Sequence, residues 1–208
     1  MHEGMYDGSY DRGSADVKLQ EPRLSDFLKQ HFIIAMPGLM DPNFSQTVTC
    51  ICEHTSMGAL GIVINRIHPF ATAKEIFEEL EIAYRPEKGS APIYAGGPVH
   101  SGEIFILHGP PLHWEGSIPI SSFLAMGNTK DLLCAIAAGK GPGSFMIALG
   151  CAGWGPGQLE SEIKANAWLT GPLIEEIIFH TPVEMRWQEA VRKLGIDPAF
   201  LADTAGHA

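Results

Sequence analysis

Two histidines stand where an imidazole could work as an acid or a base. His54 follows Glu53 at the end of a β-branched run, and His108 closes the apolar run Ile104-Phe105-Ile106-Leu107. An imidazole titrates near neutrality, which suits proton transfer. A catalytic pair also needs a nucleophile within hydrogen-bond reach, and the sequence places none beside either ring. Satisfied structural histidines are therefore the preferred reading, and no catalytic residue is assigned. The other histidines are scattered without ligand spacing, so neither a zinc site nor any other metal or cofactor is expected. No G-x-S-x-G elbow is present, and Glu160 and Glu162 fall on different faces of their helix rather than forming a carboxylate pair.

The four cysteines are Cys50, Cys52, Cys134 and Cys151. Cys50 and Cys52 share one face of a predicted strand, so a C-x-C metal site is conceivable. No second pair stands at ligand spacing, and buried small hydrophobes fit better. The N-terminus lacks the basic start, apolar middle and small-residue cleavage site of a secretory signal. Reduced thiols in a cytoplasmic protein are the expectation.

The stretch Gly150-Cys151-Ala152-Gly153-Trp154-Gly155-Pro156-Gly157-Gln158 reads as a strand end, a glycine-rich loop and a helix start. Such a loop can point backbone N–H groups at an anion, with the helix dipole adding attraction. It is neither a Walker A sequence nor G-x-G-x-x-G. A tight turn that lets Trp154 pack beside the backbone is the plainer alternative, and the preferred one. Gly96-Gly97-Pro98-Val99 carries the same ambiguity. The candidate ligand-binding residues are Gly96, Gly97, Pro98, Gly153, Trp154, Gly155, Gly157, Gln158 and Glu162, with Glu53, His54, Asn65 and His108 as further candidates. Gln158 and Glu162, at i,i+4, lean back towards the loop because helical side chains tilt N-terminally. They either line a pocket or anchor the loop, and anchoring is favoured for Glu162.

These residues must be held by elements that the hydrophobic pattern outlines. Strand-length apolar or β-branched runs cover Phe32–Met36, Thr47–Cys52, Gly58–Asn65, Pro92–Ala95, Ile104–His108, Phe123–Met126 and Phe145–Leu149. The short loop between the second and third predicts an antiparallel hairpin. Ala167–Thr170 and Ile174–Phe179 are further strand candidates, the second with helical ambiguity. Asp41-Pro42 marks a helical turn. Thr72-Ala73-Lys74-Glu75 and Thr181-Pro182-Val183-Glu184 read as capping boxes, and Thr129 or Asn128 caps a helix ending at Gly139. Ser25–Leu28 could open the folded part. Hairpins mixed with strand–helix–strand units predict an α+β domain with a mixed, strongly bent sheet. The expected organisation is a mobile polar tail over residues 1–24, one compact domain over 25–203, and a short tail over 204–208.

Composition bounds the partners. The chain has 208 residues, 45% of them hydrophobic, enough for one sizeable core. Only 18% are charged, and the net charge is −10. That balance disfavours a phosphate grip built from Lys and Arg, so direct nucleic-acid binding by the isolated chain is not expected. No stretch approaches the roughly 20 apolar residues that span a bilayer, and no membrane partner is expected.

Together the segments resemble the bacterial AlgH/YqgE family. The match runs through Phe32-Ile33-Ile34-Ala35-Met36-Pro37, Asp41-Pro42-x-Phe44 and Cys52-Glu53-His54. It continues through Gly61-x-Val63-Ile64-Asn65, Gly96-Gly97-Pro98-Val99 and Phe105-Ile106-Leu107-His108, and closes with Gly153-Trp154-Gly155-x-Gly157-Gln158-Leu159-Glu160-x-Glu162, Asn166-Ala167-Trp168-Leu169 and Arg186-Trp187. The chain departs at Glu103-Ile104, where the family more often has Arg-Gly. The resemblance implies a small β-barrel-like sheet flanked by helices and no settled activity; one family name comes from a proposed role in transcriptional control of alginate production. Two readings follow: a non-enzymatic cytoplasmic regulator or adaptor acting on an unknown protein partner, or an enzyme or sensor that binds a small anionic metabolite at glycine-rich segments 96–99 and 150–158.

Overall fold

A computed structural model describes residues 28–204, so the expected tail over 1–24, all but the first residue of the expected tail over 204–208 and most of the Ser25–Leu28 turn lie outside the described residues. The chain opens with β1 (His31–Ala35), β2 (Val48–Thr55) and β3 (Gly58–Val63), three of the predicted apolar runs. β4 (Ile67–Thr72), α1 (Ala73–Glu79), α2 (Pro86–Gly89) and β5 (Pro92–Ala95) follow. Next come β6 (Val99–His108), β7 (Ile118–Pro119), β8 (Ala125–Gly127), α3 (Lys130–Ala137) and β9 (Phe145–Trp154). The last elements are α4 (Gln158–Lys164), β10 (Trp168–Pro172), α5 (Glu175–Phe179), α6 (Arg186–Lys193) and α7 (Pro198–Thr204).

The strands form one ten-stranded, strongly curled sheet in the order β10-β1-β2-β3-β9-β6-β8-β7, with β5 and then β4 branching from β9. All pairings are antiparallel except β5 with β9. The fold is α+β, as the pattern predicts. β9 is its hub. On one side it pairs with β6 as far as Cys151; on the other its first half pairs with β5 and its second half with β3. The change of neighbour falls at Gly150, which has φ +73, a left-handed value open to glycine at little cost. Side-chain alternation slips by one residue there: Met146, Ala148 and Cys151 all point into the same core cluster. That is the signature of a bulge that bends the strand.

The sheet buries both faces. Inside the curl, Phe32, Ile34, Cys50, Ile62, Phe105 and Leu107 meet Ile177, Ile178, Ala190 and Val191 of α5 and α6. On the outer face α1 and α3 cover Ile93, Ile106 and Ile147. Further along that face Leu159 of α4 covers Ile33, Ile51, Ala59 and Ala152. Alternate residues of β1 thus serve two different cores. No helix among the described residues is long and apolar enough to cross a membrane.

Some expectations are corrected. Most of the presumed glycine-rich loop is strand: β9 continues to Trp154, and only Gly155-Pro156-Gly157 turns. Ile174–Phe179 is helical from Glu175 onwards, because its apolar residues Ile177 and Ile178 both reach the core from one helical face. The Thr72–Glu75 capping box forms, with Thr72 N–H donating to Glu75 at 2.6 Å. The one at Thr181 does not. Its hydroxyl donates to Glu176 O at 3.0 Å instead, and a 3₁₀ turn at Val183–Met185 precedes α6. Asp41 accepts from Asn43 N at 2.7 Å in a turn without a helix. β4, whose residues are largely exposed, and the short β7 have no counterpart in the apolar pattern.

Candidate functional site

The strand–turn–helix unit at the end of β9 brings Gly153, Trp154, Gly155, Gly157, Gln158 and Glu162 together. Glu162 is its centre. One carboxylate oxygen, Oε2, accepts the indole N–H of Trp154 at 3.0 Å and that of Trp168 at 2.8 Å. The other accepts the Gln158 amide N–H at 2.9 Å. Gln158 Oε1 in turn accepts the Gly155 backbone N–H at 3.0 Å, closing the turn over the helix start. Phe44 completes an aromatic cluster, its ring 5.9 Å from that of Trp154 and 5.6 Å from that of Trp168. Charge-assisted hydrogen bonds of this kind are stronger than neutral ones. Of the two roles open to Glu162, the geometry is that of an anchor, working through indoles rather than backbone donors.

A second clasp lies one residue-pair away. His54 is buried on β2, and its Nε2 sits 3.1 Å from Glu160 Oε1; its Nδ1 is buried without a partner among the described residues. Glu53, the next residue along the strand, faces the opposite way. It borders a shallow hollow of about 260 Å³ with Thr55, Met57, Gly58 and Leu60. The two adjacent candidates are thus separated by the sheet itself.

The other glycine segment approaches β9 at its midpoint. A Cβ on Gly96 would overlap the Gly150 carbonyl oxygen, and one on Gly97 would overlap the Cys151 backbone. Gly96 N–H donates to Leu149 O at 2.8 Å while its carbonyl accepts from Val63 N at 2.9 Å. Backbone meeting backbone accounts for both glycines. Pro98 follows, exposed, and Val99 pairs with Cys151 and lies beside Gly153.

His108 does have a hydroxyl within reach. Its Nδ1 is 2.9 Å from Gly109 O and its Nε2 is 3.0 Å from Ser117 Oγ. Burial pushes its pKa below the ordinary histidine value, so the ring is neutral, Nδ1 donates to the carbonyl, and Ser117 donates to Nε2. The imidazole is wholly buried. Ser117 is missed by sequence reasoning because the β6–β8–β7 pairing, rather than any spacing, carries it there.

Asn65 is spent on the backbone. It accepts from Val48 N at 2.8 Å and donates to Gln46 O at 2.8 Å, so it ties the chain before β2 to the end of β3. Cys50, Cys52 and Cys151 are buried in the core inside the curl. Burial, followed by the charge of Glu103 and the neighbouring Cys52, pushes the Cys151 thiol up to about 11. No group of three or more metal-ligating side chains occurs among the described residues.

Arg186 is the residue whose setting the sequence conceals most. It is only 4% exposed, although no neighbour along the chain marks it for burial. Its guanidinium donates to Thr181 O at 3.0 Å, to Ile64 O, and to Tyr94 OH at 3.3 Å, and lies over the Tyr94 ring. All three acceptors are neutral. Burial lowers its pKa from the ordinary guanidinium value.

Comparison with known proteins places these features in a wider set. A family model described as AlgH-like matches residues 32–199. A UPF0301 protein of Desulforapulum autotrophicum is 49% identical over 187 residues, covering 90% of this chain and 99% of the relative. One from Saccharophagus degradans is 47% identical, covering 87% and 89%. Among solved structures, the solution structure of the AlgH protein from Pseudomonas aeruginosa superposes with a TM-score of 0.72. It is 43% identical, and the match covers 91% of this chain and 99% of that one.

Proposed function

The chain belongs to the AlgH-like family, and from that premise we propose that it is a non-enzymatic, cytoplasmic regulatory or adaptor protein that acts through protein contacts. The regulatory part rests on the role that the family resemblance implies. The contact part rests on one observation: β4 pairs with β5 only near its ends, at Ile67 and Thr72, and presents Phe70 at 87% exposure, with Ile67 of the same strand also exposed. A large apolar side chain on an incompletely paired edge strand is a ready docking element. The groups that could have done chemistry are meanwhile occupied: Glu162 by two indoles, His108 by Gly109 and Ser117. The net charge of −10, and an Arg186 withdrawn from the surface, weigh against DNA as the partner.

The test is affinity purification from native lysate with the wild-type chain and with Phe70→Glu. A stoichiometric partner retained by the wild type and lost by a variant of unchanged melting temperature is the expected result. Recovery of the wild-type chain alone, or equal recovery by both, would overturn it.

A further inference from the structure

We propose that the cleft between the turn preceding β2, the corner after β3 and the start of α6 binds a small hydroxylated anion of the sugar-phosphate class. The cleft encloses about 370 Å³, within the range of small-molecule sites, and is walled by Ser45, Gln46, Arg66, Glu184, Trp187 and Gln188. A second hollow of about 390 Å³ adjoins it across Gln46, Trp187 and Gln188.

Its charges are arranged unevenly. Arg66 braces one wall, donating to Pro42 O at 2.6 Å and Ser45 O at 2.8 Å, and has no carboxylate partner among the described residues. Arg186, which stands between Glu184 and Trp187 in sequence, does not line the cleft: it is buried, and its guanidinium donates to Thr181 O, Ile64 O and Tyr94 OH. A buried charge is ordinarily paired with an opposite one. The carboxylate whose field reaches Arg186 is Glu184, which is exposed and in no ion pair among the described residues. The Arg66 guanidinium therefore favours an anion, while Glu184 favours hydrogen-bond donors at the rim.

The remaining walls suit hydroxyls. The side chains of Ser45, Gln46 and Gln188 have no hydrogen-bond partner among the described residues, and the Trp187 indole is fixed by its N–H donating to Ala35 O at 2.9 Å. Gln46 itself is held at φ +55, a left-handed value for a non-glycine residue, by Asn65 donating to its carbonyl. Strain of this kind is retained where the surroundings enforce it. A phosphate towards Arg66, with hydroxyls on the amides and Glu184, suits these walls. Inorganic phosphate is too small to reach Arg66 and the amides together, and a neutral sugar would leave Arg66 without an anion. This reading is independent of the protein-contact proposal.

Calorimetric titration of the full chain with glucose 6-phosphate, ribose 5-phosphate, glucose and inorganic phosphate tests it. At least one sugar phosphate should bind saturably with Kd at or below about 1 mM, and glucose and phosphate should bind at least about tenfold more weakly. Glu184→Ala should narrow the gap between sugar phosphate and inorganic phosphate. Gln188→Trp, a change at an exposed and unbonded side chain, should block binding while leaving the melting temperature in place. Absence of heat with both sugar phosphates, binding of all phosphates alike, or full binding by Gln188→Trp would each overturn the assignment.

Discussion

Trp154 and Trp168 lie edge to face, 6.0 Å apart at 80°, and donate their indole N–H groups to the same oxygen of Glu162. One residue ends β9 and the other begins β10, so a single carboxylate on α4 joins two strands that are not neighbours in the sheet. Glu162→Ala strands both donors and should cost roughly 1–3 kcal/mol for the unpaired buried groups. Glu162→Gln keeps an acceptor and should cost less. Urea denaturation followed by tryptophan fluorescence measures both, and an Ala variant as stable as the wild type would remove the anchor from the account.

Trp154 is 6% exposed and packs against Phe44 and Trp168. Trp154→Ala should destabilise by about 3–5 kcal/mol, the usual range for emptying a buried aromatic site. Chemical denaturation monitored by circular dichroism gives the value directly.

Gly96→Ala tests the contact between the two glycine segments. A methyl group there meets the Gly150 carbonyl oxygen, which is held in the sheet and cannot withdraw. Overpacking of about 1–3 kcal/mol is expected, read as a lower denaturation midpoint at unchanged slope.

His108 gives stability a pH dependence of definite sign. Its folded pKa is held below the unfolded value of about 6.5 by burial. The unfolded chain therefore takes up the proton first, and the contribution present above about pH 6.5 is lost as pH falls towards the folded value. His108→Gln should lower stability at pH 7.5 and flatten its decline below pH 6.5, measured by denaturation at a series of pH values.

Thiol reactivity should separate the cysteines. Cys151, pushed up to about 11, and Cys52, raised by its hydrogen bond with Cys50 and by burial, are neutral thiols at pH 8. An aromatic disulfide reagent should modify half-buried Cys134 first and the three core thiols only on unfolding.

Much of this architecture is written locally. β1, β2 and β3 appear as apolar runs, and α1 announces itself through Thr72 and Glu75, because each depends on neighbours in the chain. The anchor at Glu162 is partly legible too, since Trp154 and Trp168 stand only eight and six residues away. Other features depend on distant partners. Arg186 is buried because Ile64 O, 122 positions earlier, and Tyr94 receive its protons. Ser117 meets His108 only once β7 is laid on β8. β4 carries no apolar alternation because its side chains face solvent.

The exchange of neighbours along β9 also has a kinetic consequence. On one side it pairs with β6 as far as Cys151; on the other Ile147–Leu149 pair with β5 and Ala152–Trp154 with β3, yet it is one continuous strand. Neither half can open without taking part of that strand from the other. Amide protons of Ile147 and Ala152, on opposite sides of the bend, should therefore exchange with solvent together and only through complete unfolding, whereas those of β4 should exchange early and alone.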